Sequence, residues 1–354
     1  MYPRLVTDLN KVKFNVDRIV EMCHARGCTA AIVTKCVCAD QRVVDVINAT
    51  KADFIADSRI ANLARMKTSK PRYLLRLTQA CEVRDVIAHS EVSQESEIST
   101  IKLIGAEAKR QMRRHKVVVM IDMGDLREGV FYKNRDDVLA LAKAVCDEEM
   151  LELYGVGVNL TCFGGIIPDE TNLSGLVDCA RFLRAQTGRE IPLVSGGNSS
   201  SLPMLESGRL PEGINNLRIG EGWLLGNETV EGTLMPGFDP MAFTLEAQLI
   251  EVKTKPSKPI GTSGLNAFGE RVTFEDRGET VRGICAVGRQ DTATDGLTPV
   301  DAELSILGSS SDHLIVDLTR ARGRYRTGDI LAFSVSYGAL LHAATGGYVE
   351  KAYK

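Results

Sequence analysis

Between residues 29 and 220 the chain repeats one pattern about eight times, a short uninterrupted apolar run followed by a polar segment with helical spacing. The runs are TAAIVTK (29–35), ADFIAD (52–57), RYLLRL (72–77), a weaker stretch at 91–93, KVVVMID (116–122), LYGVGVNL (153–160), IPLVS (191–195) and INNLRIG (214–220). Helical segments fall at 41–51, 58–68, 81–88, a long polar stretch ending near His115, 135–150, 173–187, and a short piece after Asn198. The runs do not alternate apolar and polar residues, so both faces of each strand are expected to be buried, as in a parallel sheet. A doubly wound open sheet is the competing arrangement. Eight successive strand–helix units favour a closed (β/α)8 barrel.

The texture changes after Trp223. EGTLMPGFDP (231–240) is a turn-rich joint, and beyond it come FTLEAQLIEV, ETVRGICAVG, AELSILG, DHLIVDL and DILAFSVSY, punctuated by Gly, Pro, Asp and Ser. The reading is an α/β chain: an N-terminal (β/α)8 barrel over 1–235, then a mostly antiparallel β domain over 236–354.

Composition narrows the function classes. A net charge of -3 gives no electrostatic footprint for nucleic acid or an anionic membrane. None of the 5 histidines sits at H-x-x-x-H spacing, so no metal centre is expected. The 9 cysteines are odd in number and irregularly spaced, which points to free thiols in a reducing cytoplasm. The charged start MYPRLVTDLNKVKFNVDRI has no apolar h-region, and no run approaches membrane-spanning length, so neither a targeting signal nor a membrane span is expected.

Barrel enzymes build their sites where the strands end. Lys35 ends the first strong run, Arg127 follows KVVVMID in the loop DMGDLREG, Asn159 ends LYGVGVN, and Arg218 ends INNLRIG. SGGNSSS (195–201) follows IPLVS as a glycine turn feeding a helix start, with Asn198 or Ser199 as its N-cap, and such a start can bind a phosphate. A lysine, two arginines and this loop on one face predict an anionic ligand. The CVC beside Lys35 reads as packing rather than metal binding. In the β domain GSSSDH (308–313), the charged loop GRQDTATDG (288–296) and Tyr337 in SVSYG are each ordinary alone.

Taken together, these motifs resemble the fold-type III pyridoxal 5'-phosphate (PLP)-dependent amino-acid racemases, the alanine racemase superfamily, and within it the alanine/ornithine racemase branch. The resemblance spans nearly the whole chain. VTKCVCA is similar to the strand bearing the Schiff-base lysine, which implies Lys35. IDMGDLREGV is similar to D-T-G-M-x-R-x-G, which implies Arg127 at the PLP ring hydroxyl. SGGNSSS implies Asn198 and Ser199 at the phosphate, and RIGEGWLLG implies Arg218 at the pyridine nitrogen with the Gly220 and Glu221 amides at the phosphate. SSSDHLIVDL and SVSYG imply that Ser311, Asp312 and the site-edge Tyr337 enter the partner subunit's site, so a head-to-tail homodimer is expected.

Departures from the family pattern bear on specificity. GRQDT places Arg289 where alanine racemases carry their tyrosine base, and Asn159, Met120 and Ala39 replace a histidine, a modified lysine and a phosphate-binding tyrosine. The resemblance therefore implies a racemase acting on a basic diamino acid, ornithine or lysine, rather than alanine. A lysine desolvated near other cations has a lowered pKa, so Lys35 can serve as base on one face. The donor on the other face is left open among Tyr337, His313, Asp291 and a residue not singled out by the sequence, while Asn159, Arg289, Asp291, Ser311 and Asp312 are expected to contact substrate, Asp291 reading the distal ammonium. An arginine at the ring nitrogen holds its proton and favours proton return over transamination. The alternatives are a PLP-dependent decarboxylase, which Glu221 three residues after Arg218 keeps open, and a non-catalytic PLP-binding protein.

Overall fold

Residues 1–354 are described in a computed structural model. They divide into one unit over Leu9–Pro240 and a second built from Met1–Asp8 with Met241–Lys354. Strand β1 (Arg4–Thr7) thus leaves the stretch expected to form the barrel and joins the C-terminal half, and the joint falls at 240 rather than 235.

Helix α1 (Leu9–His24) opens the larger unit. There follow β2 (Thr29–Val33), α2 (Gln41–Asn48), β3 (Phe54–Asp57), α3 (Ile60–Arg65), β4 (Arg72–Leu74), α4 (Val83–His89), β5 (Val92–Glu95), α5 (Ile98–Arg110) and β6 (His115–Asp122). The unit continues through the short β7 (Val130–Phe131), α6 (Arg135–Cys146), β8 (Leu151–Gly157), α7 (Glu170–Thr187), β9 (Leu193–Ser195), α8 (Leu202–Glu206), β10 (Asn216–Ile219) and α9 (Glu221–Leu225). Strands β2-β3-β4-β5-β6-β8-β9-β10 are parallel neighbours in that order, and β10 returns to β2 with Leu217 opposite Ala30 and Arg218 opposite Ala31. The barrel is closed, so no strand edge is left among its eight members. The strands end earlier than their apolar runs: Leu75 to Leu77 and Val158 to Leu160 lie beyond β4 and β8.

Residues of one parity point inward. Ala31, Val33, Phe54, Ala56, Tyr73, Val92, Val118, Met120 and Leu193 pack the lumen, as the filled interior of a barrel requires. Helix α1 was not legible as a helix, yet Val12, Val16, Ile19, Val20 and Cys23 recur at helical spacing and are buried. It packs on β2, α2, α8 and α9, taking the eighth helix position that the five-residue α9 is too short to fill. Asn15, fully buried on α1, donates to the carbonyls of Trp223 (3.1 Å) and Asp239 (2.8 Å) and accepts from the Asp239 amide (3.0 Å).

The second unit holds β1 with β11 (Phe243–Pro256), β12 (Glu279–Cys285), β13 (Leu297–Pro299), β14 (Ser305–Ser309), β15 (Leu314–Asp317), β16 (Ile330–Val335) and β17 (Glu350–Tyr353). Their order is β13-β16-β11-β12-β15-β14, antiparallel throughout, with β1 antiparallel to β11 and parallel to β17. The pairing of Arg4 opposite Glu246 is reinforced by an ion pair at 2.7 Å. One helix interrupts the strands: α10 (Tyr337–Thr345), whose N-cap Ser336 accepts from the Ala339 amide at 3.3 Å. No helix in either unit is long and apolar enough to cross a membrane.

Candidate active site

Lys35 does not end β2, which stops at Val33, but begins the 3-10 turn Lys35–Val37 that follows it. Thr34 builds this turn. Its amide donates to Ala56 O (2.8 Å), its hydroxyl donates to the Asp57 carboxylate (2.9 Å), and its carbonyl accepts from the amides of Val37 (3.1 Å) and Ala39 (3.2 Å). Asp57 is fully buried and also accepts from the Arg59 amide (2.9 Å) and Asn62 Nδ2 (3.0 Å). Burial pushes its carboxyl above the usual range, against these bonds and the nearby Lys35 charge. Lys35 is itself exposed within the single chain, so the desolvation expected from sequence is not supplied by the residues of its own barrel.

Arg218 is the opposite case, a cation inside the lumen with only 4% exposure. It points inward from β10, where its guanidinium donates to Ser195 Oγ and to Val158 O (2.6 Å). With its amide oriented to suit its neighbours, Gln94 accepts from Arg218 Nε (3.2 Å) and from the Tyr73 hydroxyl (3.1 Å), and donates to Leu75 O (2.7 Å). Burial lowers the Arg218 pKa, opposed by Tyr73 and Glu128, but a guanidinium starts above about 12 and stays charged at neutral pH. Burial likewise pushes Tyr73 up to about 12. Room for this cation comes from Gly157, where a Cβ would stand 3.1 Å from Met120 Sδ and 3.6 Å from Arg218 Nη1.

The loop after β9 takes the expected form. Asn198 is the N-cap of the 3-10 turn Ser199–Ser201, its Oδ1 accepting from the Ser200 amide at 2.8 Å. Ser199 Oγ accepts from the Gly222 amide (3.0 Å), which ties this turn to the start of α9, capped by Gly220 and begun by Glu221. Burial and then Glu228 raise the Glu221 carboxyl above its usual range. Ser200 Oγ is buried with no partner.

Arg127 lies in the loop after β6 and is paired through two donors with Glu128. Burial works against its charge, but the Glu128 carboxylate outweighs this and holds the guanidinium above its usual range. Asn159 donates to Glu128 Oε1 (3.2 Å) and accepts from Asn198 Nδ2 (2.9 Å). Asp125, buried, accepts from the amides of Phe163 (3.0 Å), Gly164 (3.1 Å) and Ile166 (3.2 Å) and so fastens the loop after β8 to the loop after β6. The structure therefore gathers Lys35, Arg127, Asn159, Asn198, Ser199, Arg218, Gly220 and Glu221 at the C-terminal ends of the barrel strands. Sequence reasoning missed Asp57, Gln94, Asp125 and Glu128. The signal was their place at strand ends, or beside Arg127.

In the second unit two loops carry the expected residues. A Cβ at Gly288 would lie 2.1 Å from Ser311 O, so the turn 288–292 rests directly on 309–313. The amides of Arg289 and Gln290 donate to the carbonyls of Ser310 (3.0 Å) and Ser311 (3.2 Å). Asp291 departs from its expected role. It is buried, and its carboxylate accepts from the Gly288 amide (2.9 Å), so it shapes the turn instead of facing a substrate ammonium. Burial, followed by the charge of Asp312, raises its pKa. The exposed acid here is Asp312, which accepts from Gln290, with Ser311 and His313 exposed beside it. Arg289 lies 4.1 Å over the Phe268 ring and meets Glu270 at 3.4 Å. Tyr337, half-buried, begins α10, which is held to the same region by Thr292 Oγ1 donating to Ala339 O (2.9 Å).

Known proteins match this arrangement from end to end. The family described as "Alanine racemase, N-terminal domain" matches residues 7–224. The ornithine racemase of Acetoanaerobium sticklandii is 45% identical over 352 residues, covering 99% of this chain and 99% of that protein. The lysine racemase of Thermotoga maritima is 38% identical over 358 residues, covering 100% and 99%. Among solved structures, an alanine racemase of Streptomyces coelicolor A3(2) superposes with a TM-score of 0.78 at 17% identity, covering 99% of this chain and 97% of that one. The D-threo-3-hydroxyaspartate dehydratase of Delftia sp. HT23 reaches 0.73 at 16% identity, covering 97% and 92%. At such identities the structural likenesses speak for the fold alone.

Proposed function

Because the chain belongs to the alanine racemase family, we propose that it is a PLP-dependent racemase of basic diamino acids, ornithine before lysine and both before alanine. The observation that carries this reading is the 45% identity with an ornithine racemase, sustained over 99% of both chains.

The residues present fit PLP. A primary amine, Lys35, stands on the strand-end face. A buried guanidinium, Arg218, suits a ring nitrogen, and the buried, unpartnered Ser200 Oγ lies in the loop assigned to the phosphate. The Ser200 and Gly222 amides are taken by Asn198 Oδ1 and Ser199 Oγ, but the leading amides of Ser199 and Glu221 have no preceding helical turn to accept them, which suits phosphate oxygens. Asn198, Ser199, Gly220 and Glu221 would hold the phosphate, Arg127 the ring hydroxyl and Arg218 the nitrogen. When bound, PLP supplies a sink for the electron pair left as the substrate α-proton departs.

The chain's own residues do the rest. Lys35 Nζ takes the α-proton on one face and can return it. Arg218, fixed by three partners, donates a hydrogen bond and keeps its protons, which favours racemisation over the decarboxylase reading that needs an acid in its place. Tyr337 of a second copy's β domain is assigned the proton on the opposite face, with His313, exposed beside Asp312, as the second candidate. Asp312 takes over from Asp291 as the acid that meets a distal ammonium, with Ser311, Arg289 and Asn159 as further substrate contacts. The assembly is a head-to-tail homodimer. A cytoplasmic setting accords with 9 cysteines that form no disulfide.

The test is proton NMR of the purified protein with PLP in D2O, using L-ornithine, L-lysine and L-alanine in parallel. Loss of the ornithine α-proton signal is expected first, with the D-enantiomer seen by chiral chromatography of the same tube. Loss of the carboxylate would establish the decarboxylase instead. Bound PLP with no exchange for any of the three would leave a carrier protein.

A further inference from the structure

Three loops at the strand-end face meet through one side chain that the family pattern leaves open. Glu128 follows Arg127 on the loop after β6 and engages two of its guanidinium nitrogens. The same carboxylate accepts from Asn159 Nδ2 at 3.2 Å on the loop after β8. Asn159 Oδ1 then accepts from Asn198 Nδ2 at 2.9 Å on the loop after β9, and Asn198 also donates to Leu160 O at 3.0 Å. An unbroken line of side-chain hydrogen bonds thus runs from Arg127 to the N-cap of the phosphate loop, and Glu128 is its only charged acceptor. Asp125 fixes the backbones of the first two loops independently, so Glu128 is free to set side-chain orientation rather than hold the fold.

We infer that Glu128 is a positioning residue for PLP: it aims Arg127 at the ring and, through Asn159, steadies Asn198 at the phosphate. This rests on the PLP reading above. A bidentate carboxylate–guanidinium pair fixes the guanidinium plane as well as its place, which an arginine on an otherwise open loop needs if it is to meet one ring oxygen. The chemistry also explains why the position takes an acid. An apolar side chain would leave both the guanidinium and the Asn159 amide to water, each in many orientations.

The experiment is a titration of PLP into cofactor-free wild-type, Glu128→Ala and Glu128→Gln proteins, read by absorbance and fluorescence quenching. Thermal midpoints of the cofactor-free proteins are measured alongside. The Glu128→Ala protein is expected to bind PLP about tenfold more weakly, the worth of a lost charge-assisted bond. The absorption band of its bound PLP is expected to shift, since the ring hydroxyl loses an oriented partner, while the cofactor-free midpoint stays close to wild type. Glu128→Gln keeps an acceptor for Asn159 and is expected to fall between the two. Wild-type affinity and an unshifted band in both variants would overturn the inference. If Glu128→Ala does not fold, the same two readings on Glu128→Gln decide it. A wild-type protein that binds no PLP would instead bring down the reading on which it rests.

Discussion

Glu95 ends β5 on the face turned away from the lumen, where it is almost wholly buried. Its carboxyl accepts from Thr78 Oγ1 at 2.5 Å, with the Ser93 hydroxyl also in reach. Burial outweighs these bonds and raises the pKa from 4.5 to about 7. The native state thus holds this proton where the unfolded chain has released it. The stability that Glu95 contributes is complete below about pH 4.5 and is lost as pH rises through 7. A gap of about 2.5 pH units, at about 1.4 kcal/mol each, corresponds to about 3–4 kcal/mol over the whole range, most of it falling between pH 5 and pH 8. His115, buried with its Nε2 3.0 Å from Ser93 Oγ, works in the other direction. Burial lowers it to about 4, so its contribution is present above pH 6.5 and lost as pH falls toward 4. The wild-type curve therefore mixes two opposed slopes, and a variant is needed to separate them. Glu95→Gln keeps an acceptor for Thr78 and removes the titration. In urea unfolding followed at pH 5 and pH 8, the barrel transition of the variant should gain roughly 2–3 kcal/mol on wild type across that interval. A difference that does not change with pH would refute the reasoning, because it would mean that the buried carboxyl ionises without cost.

Three further substitutions test the site's supports. Asp57→Ala strands the Arg59 amide and Asn62 Nδ2 in a buried setting, so a loss of about 2–4 kcal/mol in denaturant unfolding is expected, together with weaker PLP binding as the Thr34 turn loosens. Gly157→Ala forces a methyl against Met120 and toward Arg218, an overpacking worth about 1–3 kcal/mol that a lowered melting temperature would register. Asp312→Asn is expected to raise the KM for ornithine more than that for alanine, with kcat changed less. Equal effects on both substrates would remove Asp312 as the ammonium contact.

The barrel was legible because its strands are buried on both faces and so read as plain apolar runs, and because glycine, serine and cations cluster where those runs stop. What stayed hidden depended on distant partners. β1 pairs with residues near 246 and 350, a register that nothing in RLVT announces. Helix α1 carries Lys11, Lys13, Asp17 and Arg18 on a chain start dense in charge, which masked a buried stripe of valine and isoleucine. Helix α10 follows β16 after a single residue, and only its Ser336 cap marked the change. At the site, Lys35 and Arg218 could be found from position alone. The roles of the acids could not. Asp291 and Asp312 are one residue type in neighbouring loops, and only backbone geometry decides that the first satisfies the Gly288 amide while the second faces solvent.

The lumen explains why the strand-end cation at residue 218 is an arginine. The lumen it shares is packed with Val33, Ala56, Val118 and Met120, and an ammonium there would present three donors from one point. The acceptors that surround Arg218 lie on three different strands or their ends: Ser195 on β9, Val158 just past β8, and Gln94 on β5. A planar fork reaches all three at once, whereas a lysine would leave at least one buried acceptor unmet, at a cost of about 1–3 kcal/mol. Gly157 makes the same point from the other side, since a Cβ at that residue of β8 would already stand in contact with the fork, 3.6 Å from Arg218 Nη1, leaving no room there for a longer side chain. Arg218, Gln94, Ser195 and Gly157 therefore form one unit, set by the closure of β10 onto β2. The charge delivered to the mouth of the barrel follows from the packing of its wall.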